Sequence, residues 1–411
     1  MSAQNILWII IAIIILDFAL EQFLLYLNIK NQKKEMPSEL VGIYDEEKYK
    51  KAYEYYKEKS LFSIISSSFS LVVVLIVFGF GILGWLDNTL HGYISNTIIE
   101  TLLFFGVVFV VLDMLGLPFV LYDTFVIEQR YGFNKMTLPL FFTDKLKGYL
   151  LGAVIGGGIL AILIWLILTL GHNFWIYFWA VFSVFMFLLN MFYTSWIVPL
   201  FNKLTPLPDG ELKSAIEGYS KKVDFPLDNV FVIDGSKRSS KANAFFSGIG
   251  KKKKIVLFDT LINQHTTDEL VAVLAHEVGH YKKKHIIIGF LLSVAQAGIL
   301  LFILSYFVSN IALSQALGGG MTSLALNLVA FSILFTPIST ILGILFNIIS
   351  RKNEYEADAF AGSTYKAAPL ADALKKLSVN NLSNMTPHPW YVFVHYSHPP
   401  VLERLRALQS P

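Results

Sequence analysis

The chain has 411 residues, of which 55% are hydrophobic and only 15% are charged, and its mean hydropathy is +0.56. These values lie outside the range of soluble globular proteins and predict an integral membrane protein. The formal net charge of +3 is too small to favour binding to nucleic acid. Because the chain contains no cysteine, disulfides and thiolate ligands are excluded, and any zinc must be held by nitrogen and oxygen atoms.

Seven apolar runs are long enough to cross a bilayer as helices, which rise about 1.5 Å per residue. The first run lacks the basic start and the small-residue cleavage site of a signal peptide, so it is predicted to be a retained helix. The predicted spans cover residues 6–27, 61–86, 98–122, 149–170, 174–200, 285–309 and 323–349. The sequence therefore predicts a mainly α-helical membrane protein with seven transmembrane helices.

The loops between these runs alternate in basic content, which sets the orientation of a membrane protein. The segments after the first and third runs are rich in lysine, whereas residues 87–96, 171–173 and 310–322 contain neither lysine nor arginine. This pattern predicts an external amino terminus and a cytoplasmic carboxyl terminus. The membrane is expected to be the bacterial inner membrane, or the endoplasmic reticulum if the host is eukaryotic.

Four acidic residues lie inside the apolar runs, namely Asp17, Glu21, Glu100 and Asp113. A carboxylate exposed to lipid is costly, so these side chains are expected to face the helix bundle or a watery cavity. Pairing with a neighbouring helix and contact with a substrate both remain open as roles.

The largest polar segment, residues 202–284, is predicted to form a small cytoplasmic α+β unit. A turn is predicted at residues 205–209, a helix over Glu211–Lys222, and strands at residues 230–233, 243–247 and 254–258. The middle strand could pair with an extended substrate or simply pack a small core. The chain is thereby divided into regions 1–201, 202–284, 285–350 and 351–411.

The sequence HEVGH at residues 276–280 places two histidines four residues apart, on one face of a helix. His276 and His280 can bind one Zn²⁺ per chain, with Glu277 beside them as the general base that acts on water. A helix is also predicted by the capping-box pattern of Thr266 and Glu269 before an apolar flank. This spacing predicts a zinc peptidase site in the middle of a helix.

A third ligand is offered by the sequence NEYEADAF at residues 353–360. Glu354 and Asp358 lie four residues apart and share one face of a predicted helix. The alternative is a solvated acidic helix face that follows Arg351 and Lys352. Three protein ligands leave a fourth position open, which is typical of catalytic rather than structural zinc.

The remaining histidines differ in their surroundings. His398 precedes two prolines, which hold its backbone in an extended conformation. His91 and His172 are expected on the outer side of the membrane, far from the site. The others have no ligand spacing and are expected to be caps, interface groups or packing residues: His265, His285, His388 and His395.

Over almost its whole length the chain resembles the type I CAAX prenyl endopeptidases, which are seven-span membrane zinc metallopeptidases of the gluzincin type. The resemblance is carried by the two motifs above and by further strings: FVIEQRYGFN at 125–134, LTPLPDGEL at 204–212, SKRSSKANAFFSG at 236–248, IVLFD at 255–259 and SHPP at 397–400.

The resemblance implies a ring of helices around a water-filled chamber, with the zinc site facing inward at the cytoplasmic end. It implies His276, His280 and Glu354 as ligands and Glu277 as the base. Two further groups follow from matching positions: Asp358 and His398 in the catalytic machinery, and Asn243 and Arg404 in substrate binding. The implied substrate is a peptide or lipidated peptide that loses its C-terminal tripeptide, and the implied protein is a monomer in a lipid bilayer.

Three other functions were weighed against this one. A quality-control membrane metalloprotease is the alternative within enzymes, although the bacterial protease of that kind is shorter and has fewer spans. A non-catalytic membrane scaffold stabilised by zinc would need a closed site with four protein ligands. A transporter would show internal repeats, and the two halves of this sequence show none.

Overall fold

The computed structural model describes residues 1–247 and 253–409, which are mainly helical. The first half of the chain forms the larger part of the apolar bundle. Its helices are α1 (Ala3–Asn31), α2 (Glu46–Gly79), α3 (Ile82–Tyr93), α4 (Thr97–Tyr122), α5 (Leu138–Leu151), α6 (Gly157–Leu170), α7 (Phe174–Phe192) and α8 (Val198–Phe201).

Within the described residues, five helical stretches are long and apolar enough to cross a membrane: Ala3–Asn31, Glu46–Gly79, Thr97–Glu128, Leu138–Phe201 and His285–Leu304. A sixth span results if the bent pair Leu324–Leu334 and Thr336–Thr364 is counted as one. The predicted fourth and fifth spans both lie within Leu138–Phe201, on either side of the 3₁₀ turn Gly171–Asn173. The structure therefore gives five to six apolar spans.

Three predicted span boundaries were wrong. The second predicted span is interrupted where α2 ends at Gly79, because Gly81 adopts φ +62 in the left-handed region and α3 then starts in a new direction. The sixth ends at Leu304 and not at residue 309. The seventh is bent by 50° at Phe335, just before Pro337, which lacks the backbone N–H that a continuous helix needs.

A four-stranded sheet follows the fifth predicted span, in the order β1-β2-β4-β3. Its strands are β1 (Leu204–Pro206), β2 (Leu227–Ile233), β3 (Ala244–Ser247) and β4 (Lys253–Phe258). The three predicted strands are confirmed within a few residues, but β1 was wrongly predicted as a turn. Pro206 is tolerated there because β1 pairs on one side only, with β2. β3 is the opposite edge of the sheet and pairs only with β4.

The second half of the chain continues with helices. They are α9 (Glu211–Lys222), α10 (Asp259–Ile262), α11 (Thr267–Lys282), α12 (His285–Leu304), α13 (Ile311–Ala316), α14 (Leu324–Leu334), α15 (Thr336–Thr364), α16 (Ala367–Asn380), α17 (Pro389–His395) and α18 (Val401–Gln409). The predicted helix Glu211–Lys222 is confirmed. The capping box is also confirmed, since Thr266 and Glu269 bond each other's backbone N–H groups.

Helix α11 is the centre of the polar half of the protein. Its apolar residues, including Leu270 and Leu274, are buried in one cluster with residues of the sheet, α9 and α16. α15 crosses α11 closely at Gly279, where a Cβ atom would lie 3.0 Å from the Cα of Ala357. Because no side chain separates the two helices at this point, residues one turn away on α15 come within reach of those on α11.

Each of the four acidic residues of the apolar runs lies near a polar partner or lines a cavity. Glu100 is buried and lies 3.2 Å from Nδ1 of His91. Asp113 pairs with Lys145 at 2.7 Å. Asp17 and Glu21 line a cavity of about 630 Å³ enclosed by α1 to α4 and α14, whose other walls are mainly apolar.

Candidate metal centre

Three side chains from two helices converge at the crossing of α11 and α15. Nε2 of His276 lies 3.2 Å from Nε2 of His280 and 3.4 Å from Oε2 of Glu354. Nε2 of His280 lies 3.2 Å from Oε1 of Glu354. Among the residues that the structure describes, this is the one group of three histidine or acidic side chains with the spacing of metal ligands.

The three distances fit a tetrahedral metal ion. Ligand atoms about 2.1 Å from Zn²⁺ in tetrahedral geometry are about 3.4 Å from one another, and the observed separations are 3.2 to 3.4 Å. Two unprotonated ring nitrogens and a carboxylate at this separation point lone pairs at one another, and a cation between them would remove that repulsion. The arrangement is therefore one that a divalent metal ion would complete.

A second observation concerns Oε2 of Glu354. This oxygen is fully buried, and among residues 1–247 and 253–409 no group hydrogen bonds to it. Its charged or titratable neighbours are Nη1 of Arg404 and Nε2 of His276, both at 3.4 Å, and neither makes a hydrogen bond to it. A metal ion would supply the missing partner, so the donor set fits the group that the sequence predicted.

The far side of His276 is held by an acidic residue. Nδ1 of His276 lies 2.8 Å from Oδ1 of Asp358, which is 2% exposed. Burial lowers the pKa of His276, but the contacts with Asp358 and Glu354 outweigh burial and raise it to about 9. This surplus of negative charge around one imidazole is an environment that a divalent cation would neutralise.

Asp358 in turn pairs with an arginine from the last helix. Nε and Nη2 of Arg404 donate to the two carboxylate oxygens of Asp358 at 2.8 and 2.7 Å. Burial disfavours the charge on Arg404, yet the bonds to Asp358 raise its pKa further. Nη1 of Arg404 also lies 3.4 Å from Oε2 of Glu354. Helix α18 therefore contacts both Asp358 and the predicted ligand Glu354 through Arg404.

Glu277 follows His276 on α11 and is partly buried. This burial raises the pKa of the Glu277 carboxyl above its ordinary value. A carboxyl with a raised pKa exchanges protons near neutral pH more readily than an ordinary glutamate does, which suits a general base.

His398 reaches the same centre from the carboxyl-terminal segment. Its Nε2 lies 3.3 Å from Oε1 of Glu354, and 63% of the side chain is exposed. Its Nδ1 lies 2.9 Å from Oγ of Ser397. The imidazole is thus mostly exposed while one of its nitrogens faces the metal ligands.

Asn243 lies immediately before the edge strand β3 and is exposed. Its side-chain oxygen accepts a hydrogen bond from N of Ala244 at 2.9 Å, and its carbonyl accepts one from N of Phe258 at 3.1 Å. These bonds join Asn243 to the sheet rather than to the three metal ligands.

Sequence reasoning missed two residues that contact this centre. Nδ1 of His280 lies 3.1 Å from Nδ1 of His285, and Nε2 of His285 lies 3.2 Å from Oε2 of Glu356. The sequence predicts a cap, an interface group or a packing residue at His285, because it has no ligand spacing to His280. A turn between α11 and α12 creates the contact, and no pattern in the sequence indicates that turn.

The other histidines bond outside the centre. His265 Nδ1 lies 3.1 Å from the Leu261 carbonyl, and His172 Nδ1 lies 3.3 Å from the Ser305 carbonyl. His388 caps α17, and Nε2 of His395 lies 3.4 Å from Oε2 of Glu21.

Comparison with known proteins decides the family. The model of the CAAX prenyl protease N-terminal region, with five membrane helices, matches residues 25–203, and the model of peptidase family M48 matches residues 206–411. This chain belongs to peptidase family M48. It is therefore a membrane metalloendopeptidase, an enzyme that hydrolyses peptide bonds.

Individual relatives resemble the M48 chain over nearly its full length. A CAAX prenyl protease 1 homolog of Arabidopsis thaliana is 38% identical over 384 residues, which cover 91% of this chain and 90% of the relative. The homolog of Homo sapiens is 34% identical, over a match that covers 91% of this chain and 89% of that relative. The crystal structure of S. mikatae Ste24p superposes with a TM-score of 0.94 at 34% identity, covering 98% and 99% of the two chains.

Proposed function

We propose that this M48 peptidase binds one Zn²⁺ through His276, His280 and Glu354 and cleaves prenylated CAAX peptides. The observation that carries the metal assignment is the triangle of ligand atoms at 3.2 to 3.4 Å. The substrate class is supported by the relatives, which are named CAAX prenyl proteases. On this proposal the product is a peptide that has lost its C-terminal tripeptide.

Bound Zn²⁺ supplies Lewis-acid polarisation of the scissile carbonyl and makes a neighbouring water more acidic. Glu277 takes the proton from the attacking water and later delivers it to the leaving amine nitrogen. The raised pKa of Glu277 makes its carboxylate a stronger base for the first step.

The oxyanion that develops on the substrate needs a hydrogen-bond donor from the protein. His398 is the proposed donor, since its imidazole is mostly exposed and its Nε2 lies 3.3 Å from the ligand Glu354. Asn243, at the start of the edge strand, is the proposed contact for the peptide backbone, because an edge strand offers unpaired backbone groups to an extended chain.

Asp358 and Arg404 are proposed to act through His276 rather than on the substrate. Both are buried, at 2% and 7% exposure. Asp358 accepts from Nδ1 of His276 and thereby directs Nε2 toward the metal, which is a common role for a carboxylate behind a histidine ligand. Arg404 keeps the Asp358 carboxylate charged and oriented.

The proposed function can be tested with the purified protein in detergent and a peptide that ends in a farnesylated CAAX sequence. We expect one zinc per chain, release of the C-terminal tripeptide by mass spectrometry, loss of activity with a chelator and recovery with zinc. The same peptide without farnesyl should have a much lower kcat/KM. Equal rates on both peptides would remove prenylation from the proposal, and a zinc-loaded protein that cleaves neither would overturn it.

We also propose seven transmembrane spans with the metal centre on the cytoplasmic side. Five spans in the first half are supported by the description of the matching family region; the other two are α12 and the bent pair α14 and α15. The chain has no cysteine, so single cysteines can be introduced at the exposed residues Ser95, Gln315 and Ser214. In intact cells an impermeant reagent should label the first two positions and not the third. Labelling at Ser214 would reverse the orientation.

His398→Ala is expected to lower kcat by about 10²- to 10³-fold, the effect of losing one oxyanion donor. Zinc content and KM should change little, because His398 is neither a ligand nor a ground-state contact. The control is His395→Ala, which removes an imidazole from the preceding helix. If both variants lost activity equally, the effect would come from disturbance of this segment, and the donor role of His398 would be refuted.

A further inference from the structure

The connection between α11 and α12 has an unusual backbone conformation. α11 ends at Lys282, and Lys284 adopts φ +63 in the left-handed region before α12 begins at His285. This conformation is unfavourable for a residue with a side chain. The turn sets His285 against the ring of His280, with ring centroids 5.2 Å apart and planes at 73°.

A chain of three polar groups results. His285 is 7% exposed, and its two ring nitrogens contact two different partners. Nδ1 faces Nδ1 of His280 at 3.1 Å, and Nε2 faces Oε2 of Glu356 at 3.2 Å. Glu356 stands on α15, two residues after Glu354, and its other oxygen lies 3.9 Å from Nζ of Lys352.

The positions of the protons follow from the metal geometry. Nε2 of His280 points at the other ligand atoms, so a His280 that binds metal through Nε2 carries its proton on Nδ1. That proton can be donated only to a lone pair, so Nδ1 of His285 must be unprotonated. His285 then carries its proton on Nε2, where the carboxylate of Glu356 accepts it.

We propose that His285 and Glu356 are positioning residues that fix the tautomer and ring orientation of the metal ligand His280. The two histidine ligands are thus held differently. Asp358 contacts His276 directly at 2.8 Å, whereas the carboxylate that serves His280 acts through a second imidazole. This inference rests on the proposed ligand set.

The expected effect is on metal affinity. Loss of a group that orients a metal ligand typically weakens metal binding by about 10- to 100-fold. His285→Phe keeps most of the ring volume but leaves Nδ1 of His280 without an acceptor, so an effect in this range is expected. Glu356→Ala should weaken binding less, because it leaves the imidazole in place but frees its tautomer.

The experiment measures zinc affinity of the full-length protein in detergent by competition with a chromophoric chelator, with Tm recorded for each variant. Glu356→Gln is the decisive comparison, because its amide oxygen can still accept from Nε2 of His285. We expect Glu356→Gln to restore the affinity lost in Glu356→Ala. A purely structural role of Glu356 would not produce this rescue.

Two control variants separate the effect from general damage. His265→Phe removes a histidine that is buried to a similar degree and whose one hydrogen bond within the described part of the chain is with the Leu261 carbonyl. Lys352→Ala removes the cation next to Glu356. Both should retain wild-type zinc affinity. If His285→Phe does not fold, the comparison of Glu356→Ala with Glu356→Gln still decides the question, since Glu356 lies partly exposed at the surface.

The outcomes distinguish this inference from the ligand assignment itself. His280→Ala should abolish tight zinc binding; if it does not, the proposed ligand set is wrong. If His280→Ala abolishes binding while folded His285→Phe and Glu356→Ala bind zinc as tightly as the wild type, the ligand set stands and the positioning role is overturned.

Discussion

Glu277→Gln is expected to lower kcat by about 10²- to 10⁴-fold, the usual contribution of a general acid–base residue. Glutamine keeps the size of the side chain but cannot accept the proton of the attacking water or return it to the amine. Zinc content should remain at one per chain, because Glu277 is not a proposed ligand. As the residue next to His276, it projects from a different side of α11.

The measurement pairs steady-state hydrolysis with metal analysis of the same preparation. Glu269→Gln is a useful control, because it is a buried glutamate of the same helix that forms the capping box and contacts Lys376. This control should retain most activity at normal zinc content. Wild-type hydrolysis by Glu277→Gln would show that another group is the base.

Asp358→Ala is expected to destabilise the fold by about 3–5 kcal/mol, the range for removing one partner of a buried ion pair. The variant leaves the Arg404 guanidinium, which is 7% exposed, without the carboxylate that accepts two of its hydrogen bonds. It also removes the acceptor of Nδ1 of His276, so zinc affinity should fall as well.

A double variant separates the two effects of Asp358. Asp358→Ala combined with Arg404→Met removes both charges, and stability should recover in part because an apolar pair needs no charge compensation. Zinc affinity should stay low, since His276 still lacks its acceptor. Tm in detergent and chelator competition measure the two quantities. A single variant with unchanged Tm and unchanged zinc affinity would contradict the assignment of Asp358.

Composition and local sequence pattern were sufficient to predict the membrane class, the relation of the two histidines and the start of α11. The apolar runs predicted a membrane protein because lipid excludes charge over the length of a span, and this holds without any knowledge of packing. The HEVGH sequence fixed the relation of His276 to His280, since four residues of α-helix always return to the same face. The capping box predicted the start of α11 for the same reason: its bonds join residues three apart.

Span boundaries were predicted less well because an average hydropathy does not register a change of direction. Residues 61–86 contain no charged residue, but the helix is interrupted at Gly81. The strand β1 was missed because its three residues gain a partner only when β2 lies beside them. Short edge strands have no pattern of their own that a sequence could reveal.

The assembly of the centre was decided by tertiary structure alone. His280 and Glu354 are separated in the chain by α12, α13 and α14, and they meet because Gly279 lets α15 approach α11 closely. Arg404 and His398 arrive from the end of the chain, and His285 turns back through the left-handed Lys284. Each contact depends on the packing of whole helices, whose directions are set by the summed burial of many side chains and not by the spacing of the residues that meet.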